Sequence, residues 1–93
     1  ISQNVNLKYL NCQDNEIICI DISNNPLLSY LDCRNNNLSQ LNLRNGNWQG
    51  TWVEADVSNS NLSCVEVDNI SYASSNWIFN SFTTISTNCN YTN

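Results

Sequence analysis

At 93 residues, with eight Asp or Glu against three Lys or Arg, the chain has room for one domain and carries a net charge of −5. That balance argues against nucleic acid or an anionic membrane as a partner, since both need a Lys/Arg patch to neutralise phosphate. With no His there is no His-based triad and no HExxH zinc site, and no apolar run reaches the length of a bilayer span.

A compact chain this short has a thin core and leans on repetition, metal or disulfides. Repetition is visible from the first turn. Laid on itself at an offset of 21, Leu7-Lys8-Tyr9-Leu10-Asn11-Cys12 falls on Leu28-Ser29-Tyr30-Leu31-Asp32-Cys33, and Asn15 falls on Asn36. Ile17, Ile20 and Ile22 fall in the same way on Leu38, Leu41 and Leu43. The unit L-x-x-L-x-C-x-x-N-x-L-x-x-L-x-L lies within the 20–29 residue range of leucine-rich repeats.

A third copy is predicted at an offset of 24, with Trp52, Ala55, Val57, Leu62, Val65 and Val67 in the apolar places and Ser60 where Asn15 and Asn36 stood. Its three extra residues are assigned to Gly46-Asn47-Trp48-Gln49-Gly50, where Gly and Asn tolerate positive φ. Residues 1–68 thus hold about three repeats of 21, 21 and 24 residues. Each has two segments of period-2 alternation, which predicts short parallel strands: two parallel sheets, or one sheet backed by extended segments. The expected fold class is mainly β, a leucine-rich-repeat solenoid.

Asn15, Asn36 and Ser60 are predicted to form an inward ladder. An Asn amide donates and accepts together, so it can satisfy backbone groups where the coil leaves its first strand. Residues 69–93 lose the repeat spacing and bring Tyr72, Trp77, Ile78, Phe82 and Ile85, so they are assigned as an atypical C-terminal cap closing the apolar end of the stack. Ser74-Ser75-Asn76 before Trp77 could begin a short helical turn, and Trp77 is assigned to the core of that cap.

Five Cys leave at least one unpaired within the chain. Cys12 and Cys33 occupy repeat positions and are read as buried thiols acting as small hydrophobes, although neighbouring turns bring them close enough to pair. Cys64 and Cys89 are the better disulfide candidates, tying residues 69–93 to the last regular turn and implying an oxidising compartment. Asn-x-Ser/Thr triplets occur at Asn37, Asn61, Asn69 and Asn90, but with 20 Asn in the chain they arise by chance. The chain opens at Ile1 inside a repeat and so reads as a mature or excised segment.

Leu31-Asp32-Cys33-Arg34-Asn35-Asn36-Asn37-Leu38, continuing to Leu41 and Leu43, and the block Asn61-Leu62-Ser63-Cys64, Val67-Asp68, Tyr72, Asn76-Trp77, Phe82 and Cys89 carry a resemblance. They resemble the leucine-rich-repeat regions of large secreted and cell-surface proteins of Bacteroidetes. The resemblance implies a secreted or outer-membrane-attached location and a role in adhesion, or in binding proteins or polysaccharides. It implies no cofactor and no catalytic residue. Ser60 and the extra Cys19 depart from the pattern.

No CxxC and no glycine-rich phosphate loop is present, so zinc-ribbon and nucleotide sites find no support, and no cofactor or metal is expected. The acids fall on outward rows (Asn11, Asp32 and Asp56; Asp21, Asn42 and Glu66; Ser23, Arg44 and Asp68), and a solvated face explains them better than a calcium site or a catalytic carboxylate pair. Tyr9 and Tyr30 are expected to stack and continue to Glu54, with Lys8, Ser29 and Val53 alongside and Gln13, Arg34 and Ser58 further on. Tyr9, Tyr30, Asp32, Arg34 and Glu54, with Trp48 in the loop, form the candidate recognition patch. Cross-strand aromatic stabilisation is the plainer explanation of the tyrosines. The expected function is a non-enzymatic extracellular recognition or adhesion module. Alternatives are a non-binding spacer in a larger surface protein, or an accessory polysaccharide-binding module beside a catalytic domain.

Overall fold

The computed structural model describes residues 6–47, 49–54, 62–79 and 83–91. Seven strands of three residues each run through it: β1 (Tyr9–Asn11), β2 (Cys19–Asp21), β3 (Tyr30–Asp32), β4 (Gln40–Asn42), β5 (Trp52–Glu54), β6 (Cys64–Glu66) and β7 (Thr84–Ser86). A short helix, α1 (Ile70–Asn76), separates β6 from β7. All pairing is parallel and alternate strands join different sheets, giving the orders β1-β3-β5 and β2-β4-β6-β7. The chain is therefore a two-sheet β-solenoid of about three turns.

Each strand is one inward apolar residue between two outward ones, the shortest form of period-2 patterning. Leu10, Ile20, Leu31, Leu41, Val53, Val65 and Ile85 hold the central places. Of these, only Leu10 and Ile85, at the two ends of the stack, are less than buried. Between the sheets, Ile22, Leu28, Leu38, Leu43, Leu62 and Val67 complete a core with no solvent exposure at these positions. No turn could bury its own edge, so stacking supplies the stability.

The turns after the strands have a specific cause. Asn11, Asp21, Asp32 and Asn42 each close a strand, and each side chain accepts the backbone N–H two residues on, from Gln13, Ser23, Arg34 and Arg44. These Asx turns bend the coil away from the sheet. In β5 and β6 the same place holds Glu54 and Glu66, whose longer side chains form other bonds. Asp14 and Asn35, one repeat apart, share left-handed φ values of 62° and 58°, a conformation that Asp and Asn tolerate.

Asn36, 2% exposed, performs the ladder role. Its Nδ2 donates to the carbonyls of Cys33 and Arg34 in its own turn and of Cys12 in the turn before, while its Oδ1 accepts the Ile17 N–H. Asn15 repeats the bonds to its own turn, to Cys12 and Gln13, but is exposed. Ser60 lies outside the described residues.

The third turn departs from the expected register. Trp52, not Glu54, pairs with Tyr30, Val53 pairs with Leu31, and Glu54 pairs with Asp32. Tyr30 to Trp52 is 22 residues, whereas Tyr9 to Tyr30 is 21 and Leu41 to Val65 is 24. One extra residue therefore precedes β5, and two lie between β5 and β6. The uniform offset of 24 had turned Trp52 inward because it is apolar. Val53, fully buried, takes the inward place opposite Leu31 that the offset had given to Ala55. Ala55, Asp56, Val57 and Ser58 lie outside the described residues.

Residues 69–93 are less irregular than expected. β7 continues the second sheet, pairing Val65 with Ile85, and Ile78 bridges to Glu54 beside the first. The helix ends, instead of beginning, at Ser74-Ser75-Asn76. Asn69 caps it by accepting the Tyr72 N–H, an N-cap interaction that moves the start four residues earlier, to Ile70. Ala73 and Trp77 pack on the core, Tyr72 and Phe79 meet the Trp77 ring edge-on, and Trp77 Nε1 donates to the Thr51 carbonyl at 2.8 Å. Phe82 lies outside the described residues.

Cys64 and Cys89 form a disulfide. Cys12, Cys19 and Cys33 carry thiols. Cys33, fully buried, donates to the Glu54 carbonyl, and Cys12 donates to that of Asp32. Burial pushes both thiols above their ordinary pKa, so they behave as core groups and not as nucleophiles.

Candidate functional site

The outward side chains of β1, β3 and β5 form two adjoining columns. Register sets the first as Tyr9, Tyr30 and Trp52 and the second as Asn11, Asp32 and Glu54. The Tyr9 and Tyr30 rings stack with centroids 4.7 Å apart and planes 7° apart. Such a parallel stack follows from in-register strands, which set equivalent side chains one strand spacing apart. Tyr9 is 59% exposed and Trp52 40% exposed, so the column is an open apolar strip and not a packed core.

Charge lies next to it. Asp32 is 1% exposed and holds Arg34 in a fork, with Nε donating to Oδ1 at 2.9 Å and an Nη to Oδ2 at 2.7 Å. The same guanidinium reaches Glu54 Oε2 at 3.2 Å and Gln13 Oε1 at 3.2 Å. Trp52 Nε1 donates to the other Glu54 oxygen, and the Tyr30 hydroxyl lies 3.5 Å from Asp32 Oδ2. Three turns thus hold one guanidinium in place beside the aromatic strip.

The Arg34 hydrogen bonds hold the Asp32 carboxyl below its usual range, despite its burial. Asp32 in return raises the Arg34 guanidinium, which stays charged at any working pH. Desolvation, reinforced by Asp32 and Glu54, raises the Tyr30 phenol, so its hydroxyl remains a donor. Because the folded-state pKa of Asp32 is depressed, its stabilisation is complete above the ordinary carboxylate range. It is lost as pH falls through the folded value. Acid titration of stability should therefore show a loss below about pH 4 that Asp32→Asn flattens. An unchanged acid limb in Asp32→Asn would show that this carboxyl does not carry it.

Tyr9, Tyr30, Asp32, Arg34 and Glu54 come together on one face as expected, but Glu54 sits beside Asp32 and not above Tyr30. Val53 is in the core. Trp48 lies outside the described residues. Trp52 was missed, although aligning Tyr30-Leu31-Asp32 with Trp52-Val53-Glu54 as aromatic–aliphatic–acid would have found it.

No family model, no curated protein and no solved structure matches the chain. Among the described residues no group of three or more His, Cys, Asp or Glu could hold a metal, and no helix is long and apolar enough to cross a membrane.

Proposed function

We propose that the chain is a leucine-rich-type module, with residues 69–93 as its cap, that binds a protein or polysaccharide through the outer face of its first sheet. The observation that carries the reading is the open Tyr9–Tyr30–Trp52 column beside an Arg34 already fixed by Asp32 and Glu54. Aromatic rings lose little entropy on binding, and a pre-positioned guanidinium loses less than a mobile one. Tyr9 covers one face of Tyr30, so a partner meets ring edges and hydroxyls along the column. That geometry suits an extended chain crossing several turns. The role is binding and not catalysis, as the open face offers no enclosure that would set two carboxylates at different pKa values.

The 21-residue spacing and the repeated Leu, Cys and Asn positions support the leucine-rich reading. Ala73 and Trp77, packed on the last turn, support the cap. The disulfide supports an oxidising location, and with it a secreted or surface-attached protein.

The test is a binding screen against soluble polysaccharides, surface polysaccharides and cell-surface extracts, with the Tyr9→Ser/Tyr30→Ser double variant as control. A saturable hit that the folded variant loses is the expected result. A hit that the variant keeps would move function off this face, and no hit from the intact fold would favour a spacer.

A further inference from the structure

The second sheet has an outer face of its own, which the first-sheet reading does not use. Period-2 alternation turns Cys19, Asp21, Gln40, Asn42, Cys64 and Glu66 outward there. After β7 the chain folds back across this face and is tied down at three points. Cys89 is bonded to Cys64, and its N–H donates to Glu66 Oε1 at 3.0 Å. The Tyr91 hydroxyl sits between two strands, donating to the Cys64 carbonyl and accepting the Leu41 N–H. Correspondingly, the β4–β6 pairing starts at Leu41 and Val65, one residue later than the β2–β4 pairing, which includes Cys19 and Gln40.

Between tail and sheet lies a cavity of about 190 Å³, walled by Tyr91 and floored by Cys19, Asp21, Gln40, Asn42 and Glu66 around Ile20. This is room for roughly six waters at about 30 Å³ each, or for one pyranose ring. The lining combines carboxylates that accept hydroxyl protons, amides that donate and accept side by side, and one aromatic wall. The Gln40 amide makes no hydrogen bond to the described residues and is therefore available to a ligand. Among the described residues no Lys or Arg lines the cavity, so an anionic ligand would face Asp21 and Glu66.

We propose that this groove binds a single neutral hexose unit, free or at the end of a glycan. Vicinal hydroxyls bond Asp21, Gln40 and Asn42, and the apolar side of the ring lies against Tyr91. The site stands apart from the first-sheet face and does not depend on it. Its formation depends on the tail, and hence on the Cys64–Cys89 bond.

The test is an amide NMR titration of the labelled protein with D-glucose, D-galactose and D-mannose in turn, and with D-glucuronate as the charged control. At about 100 mM sugar, even a ligand with a Kd near 10 mM would nearly saturate the site. The expected result is saturable shifts at Asp21, Gln40, Leu41, Asn42, Glu66 and Tyr91 with at least one neutral hexose, and none with glucuronate. Gln40→Ala, which breaks no side-chain hydrogen bond among the described residues, should weaken that binding about fivefold or more and leave the remaining spectrum unchanged. Absence of saturable shifts with every neutral hexose would overturn the proposal, as would shifts that Gln40→Ala does not weaken. Shifts confined to β1, β3 and β5 would also overturn it, while leaving the first-sheet reading intact.

Discussion

Replacing Asn36 by Leu should lower the unfolding free energy by about 2 kcal/mol, within the roughly 1–3 kcal/mol that a buried group costs when its partner is removed. Leu keeps the branching of Asn at Cγ and suits an apolar core, so the loss reports chiefly on the hydrogen bonds. The Ile17 N–H loses its acceptor and the Cys33 carbonyl loses the Nδ2 bond, while the Cys12 carbonyl keeps the Asn15 amide at 2.8 Å. The Arg34 carbonyl keeps the Asp14 N–H. The same change at Asn15 should cost well under ~1 kcal/mol, because its partners lie at an exposed position that water reaches. Urea unfolding checks both. The Asn36→Leu midpoint should fall with an unchanged slope, as expected when stability changes and the unfolded chain does not. Equal losses at the two positions would show that burial does not govern the ladder.

Asn36 also marks how far the sequence reached. Its role was legible because it recurs at a fixed place among apolar residues, and an inward amide in such a place has few uses besides satisfying backbone groups. The two parallel sheets were legible for a similar reason, from alternation in segments too short for a helix. What failed was a length. Three residues inserted in one turn were placed together at 46–50, since nothing local distinguishes one insertion of three from one before β5 and two after it. The error turned Trp52 inward and set Glu54 above Tyr30, so half of the aromatic column was misread while its Tyr9–Tyr30 half was correct. Each strand has only one inward residue. A shift of two residues therefore still puts an apolar side chain in most places, and register is weakly encoded.

The strand-ending Asx turns were also missed. Periodicity puts Asn11 and Asp32 on one outward row and Asp21 and Asn42 on another and predicts solvated faces, yet Asp32 is 1% exposed. Their bonds to the backbone two residues on give that periodicity a second cause. Asp32 combines both functions, closing a turn and fixing Arg34, so a turn residue is part of the proposed recognition face. The groove on the second sheet gave no periodic signal at all. It depends on Tyr91, which lies 50 residues from Leu41 and is brought to it by a tail that the Cys64–Cys89 bond and the Cys89 N–H to Glu66 hold in place.

That bond is the subject of the other large effect. Converting both Cys64 and Cys89 to Ala should cost about 3 kcal/mol, the value expected for freeing an unfolded chain from a loop of this size. The bond spans a sequence separation of 25. The native-state consequence should be local. The Cys89 N–H to Glu66 and the Tyr91 hydroxyl bridge both lie in the tail that the bond holds, so the Leu41 amide should lose hydrogen-exchange protection. β1 and β3 touch none of these groups, and the Leu31 amide should lose protection only as far as global stability falls. Reductant supplies the matching control. Cys12, Cys19 and Cys33 already carry thiols, so reducing the wild-type protein should reproduce the stability of the double variant, and reductant should leave the variant unchanged. A further loss in the variant under reductant would reveal a second bond. Cys12 and Cys33 are the pair on adjacent turns that could supply it, and their thiols, half-buried and buried, each donate to a carbonyl of the next turn, which argues against one.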